Sequence, residues 1–137
     1  MPAIELDMLI AFVNRRDRLH PVAARLFEMI AGGSLENVAV PASALMEYEL
    51  VLRSRGYDEA RIREDIQAFK RIDNVREIPL NSDILLAASS LREQHGLSYF
   101  DSLHAASALL HDGIIISVDE CYRRVPGLKA IDPRELV

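Results

Sequence analysis

The segment Gly96–Asp119 reads GLSYFDSLHAASALLHDGIIISVD, and its pattern predicts a buried helix, a tight turn and a buried strand. Ser98 stands where a helix cap is expected, and Asp101 follows three residues later, where the carboxylate of a capping box would reach back to the cap amide. The helix after it has almost no polar face, which favours burial. Ile114–Ile116 is β-branched without alternation, as is typical of a central parallel strand covered on both faces.

Two carboxylates flank this helix and strand. Asp101 lies at the start of the helix, while Ser117 and Asp119 follow the strand. Open α/β sheets bind ligands in a crevice at the carboxyl ends of their strands. The segment therefore predicts that both acids face one crevice.

Composition indicates one domain over residues 1–137, because 137 residues with 50% hydrophobic side chains form one core and are too few for two. No apolar run reaches the ~20 residues of a membrane span, and the N-terminus lacks the pattern of a signal peptide. We expect a soluble, cytoplasmic protein. Cys121 is the single cysteine and has no CxxC partner, so we expect it to be a small buried hydrophobe.

The charge pattern limits the function classes. A net charge of −5, from 21 acids and 16 bases, argues against a broad basic face that coats nucleic acid. A narrow site stays compatible with this charge, because about five carboxylates gathered around cations would leave acids and bases in equal number.

The rest of the chain alternates strands with helices. Residues 2–7 predict a first strand, in which Glu5 and Asp7 share one face by the two-residue period. This alternation predicts a three-layer α/β/α fold around a central, mostly parallel sheet of four to five strands. The other strands are expected at 38–40, 75–78, 114–116 and 128–131, and the helices at about 8–13, 20–31, 41–55, 57–71, 81–95 and 98–112.

Five segments in this order resemble one known family. Ala3–Ile10 reads AIELDMLI, Ser43–Glu47 reads SALME, Tyr99–Ala106 reads YFDSLHAA, and Ile115–Asp119 reads IISVD. Together with the ending 125–133, they resemble the PIN domain, in particular the small ribonucleases that act as the toxin half of toxin–antitoxin pairs. The resemblance covers essentially the whole chain.

The resemblance implies a divalent-metal-dependent ribonuclease that uses Mg²⁺ or Mn²⁺, has a small antitoxin protein as partner and pairs into a homodimer. It implies catalytic metal ligands at Glu5, Glu47, Asp101 and Asp119, with Asp7 as an added metal ligand. Residues Ser117, His104 and Glu120 are candidates for supporting these ligands, and Arg15, Arg16, Arg123 and Arg124 for contacting RNA phosphates.

The chain departs from the family pattern at its first acid. The family aspartate is Glu5 here, the following threonine is Leu6, and the asparagine or serine position carries Asp7. The acid after the first strand is therefore either lengthened by one methylene or displaced by two residues, and either Glu5 or Asp7 is its metal ligand.

The chemistry of such a cluster follows from its charges. Like charges ~4 Å apart repel by several kcal/mol at an effective dielectric near 20, and divalent cations relieve that repulsion. Oxygen ligands favour Mg²⁺ or Mn²⁺ over zinc, which prefers nitrogen and sulfur. One or two such ions would polarise a phosphodiester and activate water for in-line hydrolysis.

Each acid also has an ordinary structural use: Asp101 as a cap, Asp119 as a turn former and Glu47 as a surface residue. Two hypotheses of different classes follow. The first is a metal-dependent endoribonuclease, and the second is a PIN-like module that binds RNA or a protein partner without cleaving, its metal site weakened at Glu5.

Overall fold

The computed structural model describes residues 1–137 and contains one five-stranded sheet. All neighbouring strands are parallel, in the order β3-β2-β1-β4-β5. The predicted parallel sheet is therefore confirmed. The strands are β1 (Ala3–Ile4), β2 (Val38–Pro41), β3 (Val75–Ile78), β4 (Ile114–Ile116) and β5 (Lys129–Ile131).

The helices begin and end within a few residues of the predicted positions. They are α1 (Leu6–Val13), α2 (His20–Ala31), α3 (Ala42–Ser54), α4 (Glu59–Lys70), α5 (Ser82–His95) and α6 (Tyr99–Leu109), with 3₁₀ helices at Glu120–Arg124 and Pro133–Glu135. None of them combines the length and the apolar character that crossing a bilayer requires.

Alternate residues of the central strands bury opposite faces of the sheet. Ile4 and Ile116 pack in the hydrophobic core formed with α1–α4. Their neighbours Ala3 and Ile115 pack in the second core, formed with α5 and α6. This alternation follows from the two-residue period of a strand, and it confirms the predicted three-layer α/β/α fold.

The predicted first strand is too long at its C-terminal end. The strand is only Ala3–Ile4, and Glu5 is the N-cap of α1, with its side chain accepting a hydrogen bond from the amide of Asp7 at 3.2 Å. Asp7 therefore lies in the first turn of a helix, so the prediction that Glu5 and Asp7 share a strand face is wrong. A capping carboxylate satisfies an amide that the first helical turn leaves unpaired, which favours starting the helix here.

The cap of α6 is formed only in part as predicted. Ser98 Oγ accepts a hydrogen bond from the amide of Asp101 at 3.3 Å. The carboxylate of Asp101 does not complete a capping box, because its oxygens accept instead from Tyr122 and Cys121. Asp101 is thus turned toward the residues that follow β4.

Candidate metal centre

The candidate site lies where the strand order reverses, between β1 and β4. The chain passes from β1 to β2 on one side, while β4 joins the other side of β1. Ile4 is paired with Ile116, so the residues that follow these two strands emerge side by side. Such a reversal opens a crevice at the carboxyl ends of a parallel sheet, and the first acids enter it there.

Ser117 joins the acids that follow β1. Its hydroxyl lies 3.0 Å from Asp7 Oδ2 and 3.3 Å from Glu5 Oε2. The amide of Val118 also donates to Asp7 Oδ2, at 2.8 Å. One hydroxyl proton serves two carboxylates, so these two acids share a donor that satisfies only one of them at a time.

The N-terminus of α6 brings Asp101 into the same crevice. Asp101, Glu5 and His104 each place one ligand-type atom within 4.8 Å of the others, and so do Asp101, Asp119 and Cys121. Asp101 therefore belongs to both groups. Cys121 is only half-buried, but it packs against the second hydrophobic core as expected of a small hydrophobe, and its thiol lies 3.8 Å from Asp101 Oδ2.

Glu47 reaches the cluster through a histidine. His104 Nε2 lies 2.8 Å from Glu47 Oε1 and 3.9 Å from Glu5 Oε1. Its other ring nitrogen, Nδ1, lies 2.8 Å from Ser43 Oγ. The imidazole thus lies between an acid from α3 and the acid that caps α1.

Burial dominates the electrostatics of the two acids after β1. Glu5 is only 6% exposed, and burial, followed by the charge of Asp7, raises the pKa of its carboxyl well above the ordinary value. Burial also raises the pKa of Asp7, against the lowering effect of hydrogen bonds from Val118 and Ser117. Both carboxylates are therefore costly to keep ionised without a cation.

The remaining atoms of the cluster fit a hard divalent cation. Asp7 Oδ1 is buried and has no hydrogen-bond partner. A buried carboxylate oxygen without a donor is expensive, and a cation is the partner that would satisfy it. The donors are mostly carboxylate oxygens, which suit Mg²⁺ or Mn²⁺. Glu5, Asp7, Asp101 and Asp119 are the residues that could hold such an ion, with Glu47 beside them.

The other predicted residues lie at different distances from this centre. Glu120 is not brought into the cluster, since its side chain is 82% exposed and pairs with Arg123. Arg123 and Arg124 lie at the C-terminal end of the 3₁₀ helix that Asp119 caps. Arg15 and Arg16 lie beyond the far end of α1, whose 8 residues separate them from Glu5 by about 12 Å.

Two contacts were not anticipated from the sequence. Ser43 binds His104, and its spacing of four residues from Glu47 on α3 was the available signal, since such residues share a helix face. Tyr122 is fully buried and donates to Asp101 Oδ1 at 3.3 Å. Burial and the nearby acids raise the pKa of Tyr122, so its hydroxyl keeps the proton that it donates. Nothing in the sequence around Tyr122 signalled this contact.

Comparisons with known proteins agree with this architecture. The family model of the PIN domain matches residues 7–128. No curated protein matches the chain in sequence.

Three solved structures share the fold at low sequence identity. The chain is similar to VapBC2 from Rickettsia felis bound to a promoter DNA fragment, with a TM-score of 0.71 and 16% identity over 94% of this chain and 96% of the other. A toxin–antitoxin complex from Klebsiella pneumoniae has a TM-score of 0.67 and 18% identity, over 97% of this chain and 98% of the other. FitAcB from Neisseria gonorrhoeae has a TM-score of 0.70 and 15% identity, over 98% of this chain and 99% of the other.

Proposed function

The chain belongs to the PIN domain family, and from this premise we propose that it is a divalent-metal-dependent endoribonuclease and the toxin of a toxin–antitoxin pair. Proteins of this family are generally nucleases. The observation that carries the proposal is the convergence of buried and half-buried carboxylates at the strand-order reversal, one of which has an oxygen without a partner.

Each acid has a distinct task in this proposal. Glu5 and Asp101 are the primary ligands, because they come from the two elements that meet in the crevice and lie within 4.8 Å of each other and of His104. Asp7 adds its unpaired Oδ1, and Asp119 adds a carboxylate on the exposed side. Glu47 closes the site from α3, where His104 holds one of its oxygens.

Bound Mg²⁺ or Mn²⁺ would supply Lewis-acid polarisation of the phosphodiester and a water of lowered pKa. The protein's own residues orient the reactants. Asp119 is exposed at the edge of the crevice that faces the substrate. Arg123 and Arg124 end the 3₁₀ helix that Asp119 caps, and their guanidinium groups would bind phosphates of the RNA. Hydrolysis in line with the departing oxygen is the reaction that this arrangement favours.

A second candidate function has one specific observation in its favour. Glu5 replaces the aspartate typical of the family and is engaged on both oxygens, with Oε2 near the Asp7 amide and Ser117 and Oε1 near His104. If these contacts keep Glu5 from binding a cation, the chain is a PIN-like module that binds RNA or a protein partner without cleaving it.

Cleavage of a fluorogenic single-stranded RNA in Mn²⁺ tests the choice between the two functions. The ribonuclease cleaves in Mn²⁺ and stops in EDTA, and Mn²⁺ at 100 times its Kd stabilises the fold by about 2.7 kcal/mol. If Mn²⁺ neither stabilises the fold nor supports cleavage of several RNA sequences, the metal-dependent ribonuclease is contradicted and the binding module with its weakened metal site is favoured.

The proposal includes two protein partners. Two of the three similar structures are described as toxin–antitoxin or VapBC assemblies, and a short antitoxin encoded beside this chain would support the toxin role.

A homodimer would bury exposed apolar side chains such as Leu50, Leu86 and Leu110. Light scattering distinguishes the pair from a 15.4 kDa monomer, and a monomer at micromolar concentration contradicts the dimer.

A further inference from the structure

His104 is fully buried and contacts side chains from two other parts of the fold. It stands on α6 three residues after Asp101, so the two side chains lie on the same helix face. Its Nε2 faces Glu47 of α3 and, at 3.9 Å, Glu5 at the start of α1. Its Nδ1 faces Ser43 at 2.8 Å. The ring is therefore held between two residues of α3 that are one helical turn apart.

The direction of these hydrogen bonds follows from the donors available. An ionised carboxylate only accepts, so the proton lies on His104 Nε2 and is donated to Glu47. In a neutral ring Nδ1 is then an acceptor, and the hydroxyl of Ser43 donates to it. This assignment rests on the bonding pattern around the ring. It makes Ser43 the residue that selects the tautomer in which His104 has a proton to give.

We propose that Ser43 is a positioning residue for the metal centre, acting through His104 on Glu47. This inference rests on the proposed function and deepens it. Ser43 holds the imidazole in one orientation and one tautomer, and the imidazole holds Glu47 Oε1, which leaves the other oxygen of Glu47 available to a cation. Without the bond from Ser43, no other hydrogen bond fixes the tautomer of the ring, and its hold on Glu47 weakens.

A second buried serine shows that Ser43 is used in an unusual way. Ser107 on α6 donates to the carbonyl of Leu103 at 2.8 Å, the local bond to its own helix that a helical serine commonly makes. Ser43 lies in the first turn of α3 and is equally buried, yet its hydroxyl faces a side chain 61 residues away. This contrast separates a serine that satisfies itself locally from one that orients a distant ring.

Ser43→Ala tests the proposal, with Ser107→Ala as the matched control. Both changes remove one buried hydroxyl from a helix, and alanine favours helix at both positions. Isothermal titration of each full-length protein with Mn²⁺ measures the affinity. Supporting partners of metal ligands are typically worth 10–100-fold in affinity, so we expect Ser43→Ala to weaken Mn²⁺ binding about tenfold and Ser107→Ala to leave it unchanged.

The ¹⁵N resonances of His104 in the metal-free proteins give a second, independent result. The parent is expected to have its proton on Nε2, with Nδ1 accepting a hydrogen bond, and Ser43→Ala should move the Nδ1 resonance downfield while Ser107→Ala does not. Thermal unfolding of the metal-free variants checks that both are folded. A parent ring protonated on Nδ1 alone overturns the proposal, because Nε2 would then have no proton for Glu47.

The outcomes distinguish this inference from the function on which it rests. If the parent binds Mn²⁺ and Ser43→Ala binds it equally well, the positioning role is wrong while the metal centre stands. An equal loss in Ser107→Ala also overturns the role, since the effect would then belong to any buried hydroxyl. If the parent binds no Mn²⁺ at all, the proposed function and this inference are overturned together.

Discussion

Two buried carboxylates of this protein differ in what surrounds them. Asp65 on α4 is 7% exposed and Glu5 is 6% exposed. Asp65 accepts from Tyr48 at 2.6 Å and from Arg61 at 3.1 Å, so both of its oxygens are satisfied by the protein. Glu5 instead lies beside Asp7, a second acid with one buried oxygen that no donor reaches.

The difference teaches how to distinguish a structural acid from one kept for a ligand. Burial alone does not separate them, because the two acids are buried to the same extent. The partners separate them: a tyrosine and an arginine complete Asp65, whereas the acids after β1 need a positive charge that the chain itself does not provide. The acids that need a cation also lie at the strand-order reversal, where ligands bind.

The largest effect is expected from removing the charge of Asp101. Asp101→Asn should lower RNA cleavage in Mn²⁺ more than about a hundredfold, because losing a ligand exceeds the 10–100-fold cost of losing a supporting partner. The amide keeps the shape of the side chain and can still accept from Tyr122, so the fold should persist. A fluorogenic RNA assay measures the rate, with Asp65→Asn as the control that should still cleave. A rate equal to the parent's would make Asp101 a structural acid like Asp65.

The next effect concerns the ligand after β1. Glu5→Ala should weaken Mn²⁺ binding more than Asp7→Ala, by about tenfold or more, and Glu5→Asp should retain or improve cleavage because aspartate is the residue typical of the family at this position. Isothermal titration of the three variants measures this order. If Asp7→Ala loses the metal and Glu5→Ala keeps it, Asp7 is the primary ligand and the alignment at this position shifts by two residues.

One chemical change should have opposite effects in the two regions. Asp65→Asn removes the charge that Tyr48 and Arg61 bind, and should lower the free energy of unfolding by about 1.5 kcal/mol. Asp7→Asn removes repulsion with Glu5 and should raise it by about 1 kcal/mol in the metal-free protein. Thermal unfolding in EDTA at neutral pH measures both. If the free energy of unfolding changes in the same direction in both variants, Asp7 does not differ from Asp65 as a structural acid.

The smallest effect is the dependence of stability on pH. The folded-state pKa values of Glu5 and Asp7 lie above their ordinary values, so the folded protein binds protons more tightly than the unfolded chain does. Their favourable contribution is fully present below the unfolded pKa values of about 4 and is lost as the pH rises through the folded ones. The metal-free protein should therefore unfold at a higher temperature near pH 5 than near pH 8. This difference should be smaller in Asp7→Asn, which keeps all the other titratable groups and so serves as the control. Saturating Mn²⁺ should reduce this dependence, and an unchanged pH profile would contradict it.

Sequence was sufficient for the sheet, the layers and most element boundaries because these depend on local patterns. The apolar run at Ile114–Ile116 and the double glycine after α2 are signals contained within a few residues. The boundary between β1 and α1 was predicted wrongly because two-residue alternation and a capping glutamate compete over the same stretch. Only the completed structure shows that Glu5 caps α1.

The site was predicted as a set of acids supported by Ser117, His104 and Glu120, but the contacts that Ser43, Tyr122 and Cys121 make with it were not predicted. The spacing of Ser43 and Glu47 shows that they share a helix face, yet it does not show which neighbour that face meets. The packing of α3 against α6 decides that the neighbour is His104. Tyr122 and Cys121 reach Asp101 for the same reason, since contacts between distant segments depend on how whole elements pack.

The position of β4 between β1 and β5 has a consequence for when the site can exist during synthesis. Ribosomes release the N-terminal part of a chain first, at about 5–20 residues per second. Glu5, Asp7 and Glu47 emerge early, but Ser117 and Asp119 belong to the last 21 of the 137 residues. A nascent chain therefore has no complete carboxylate cluster until β4 and Asp119 have been synthesised, and a fragment that stops before β4 lacks both Ser117 and Asp119.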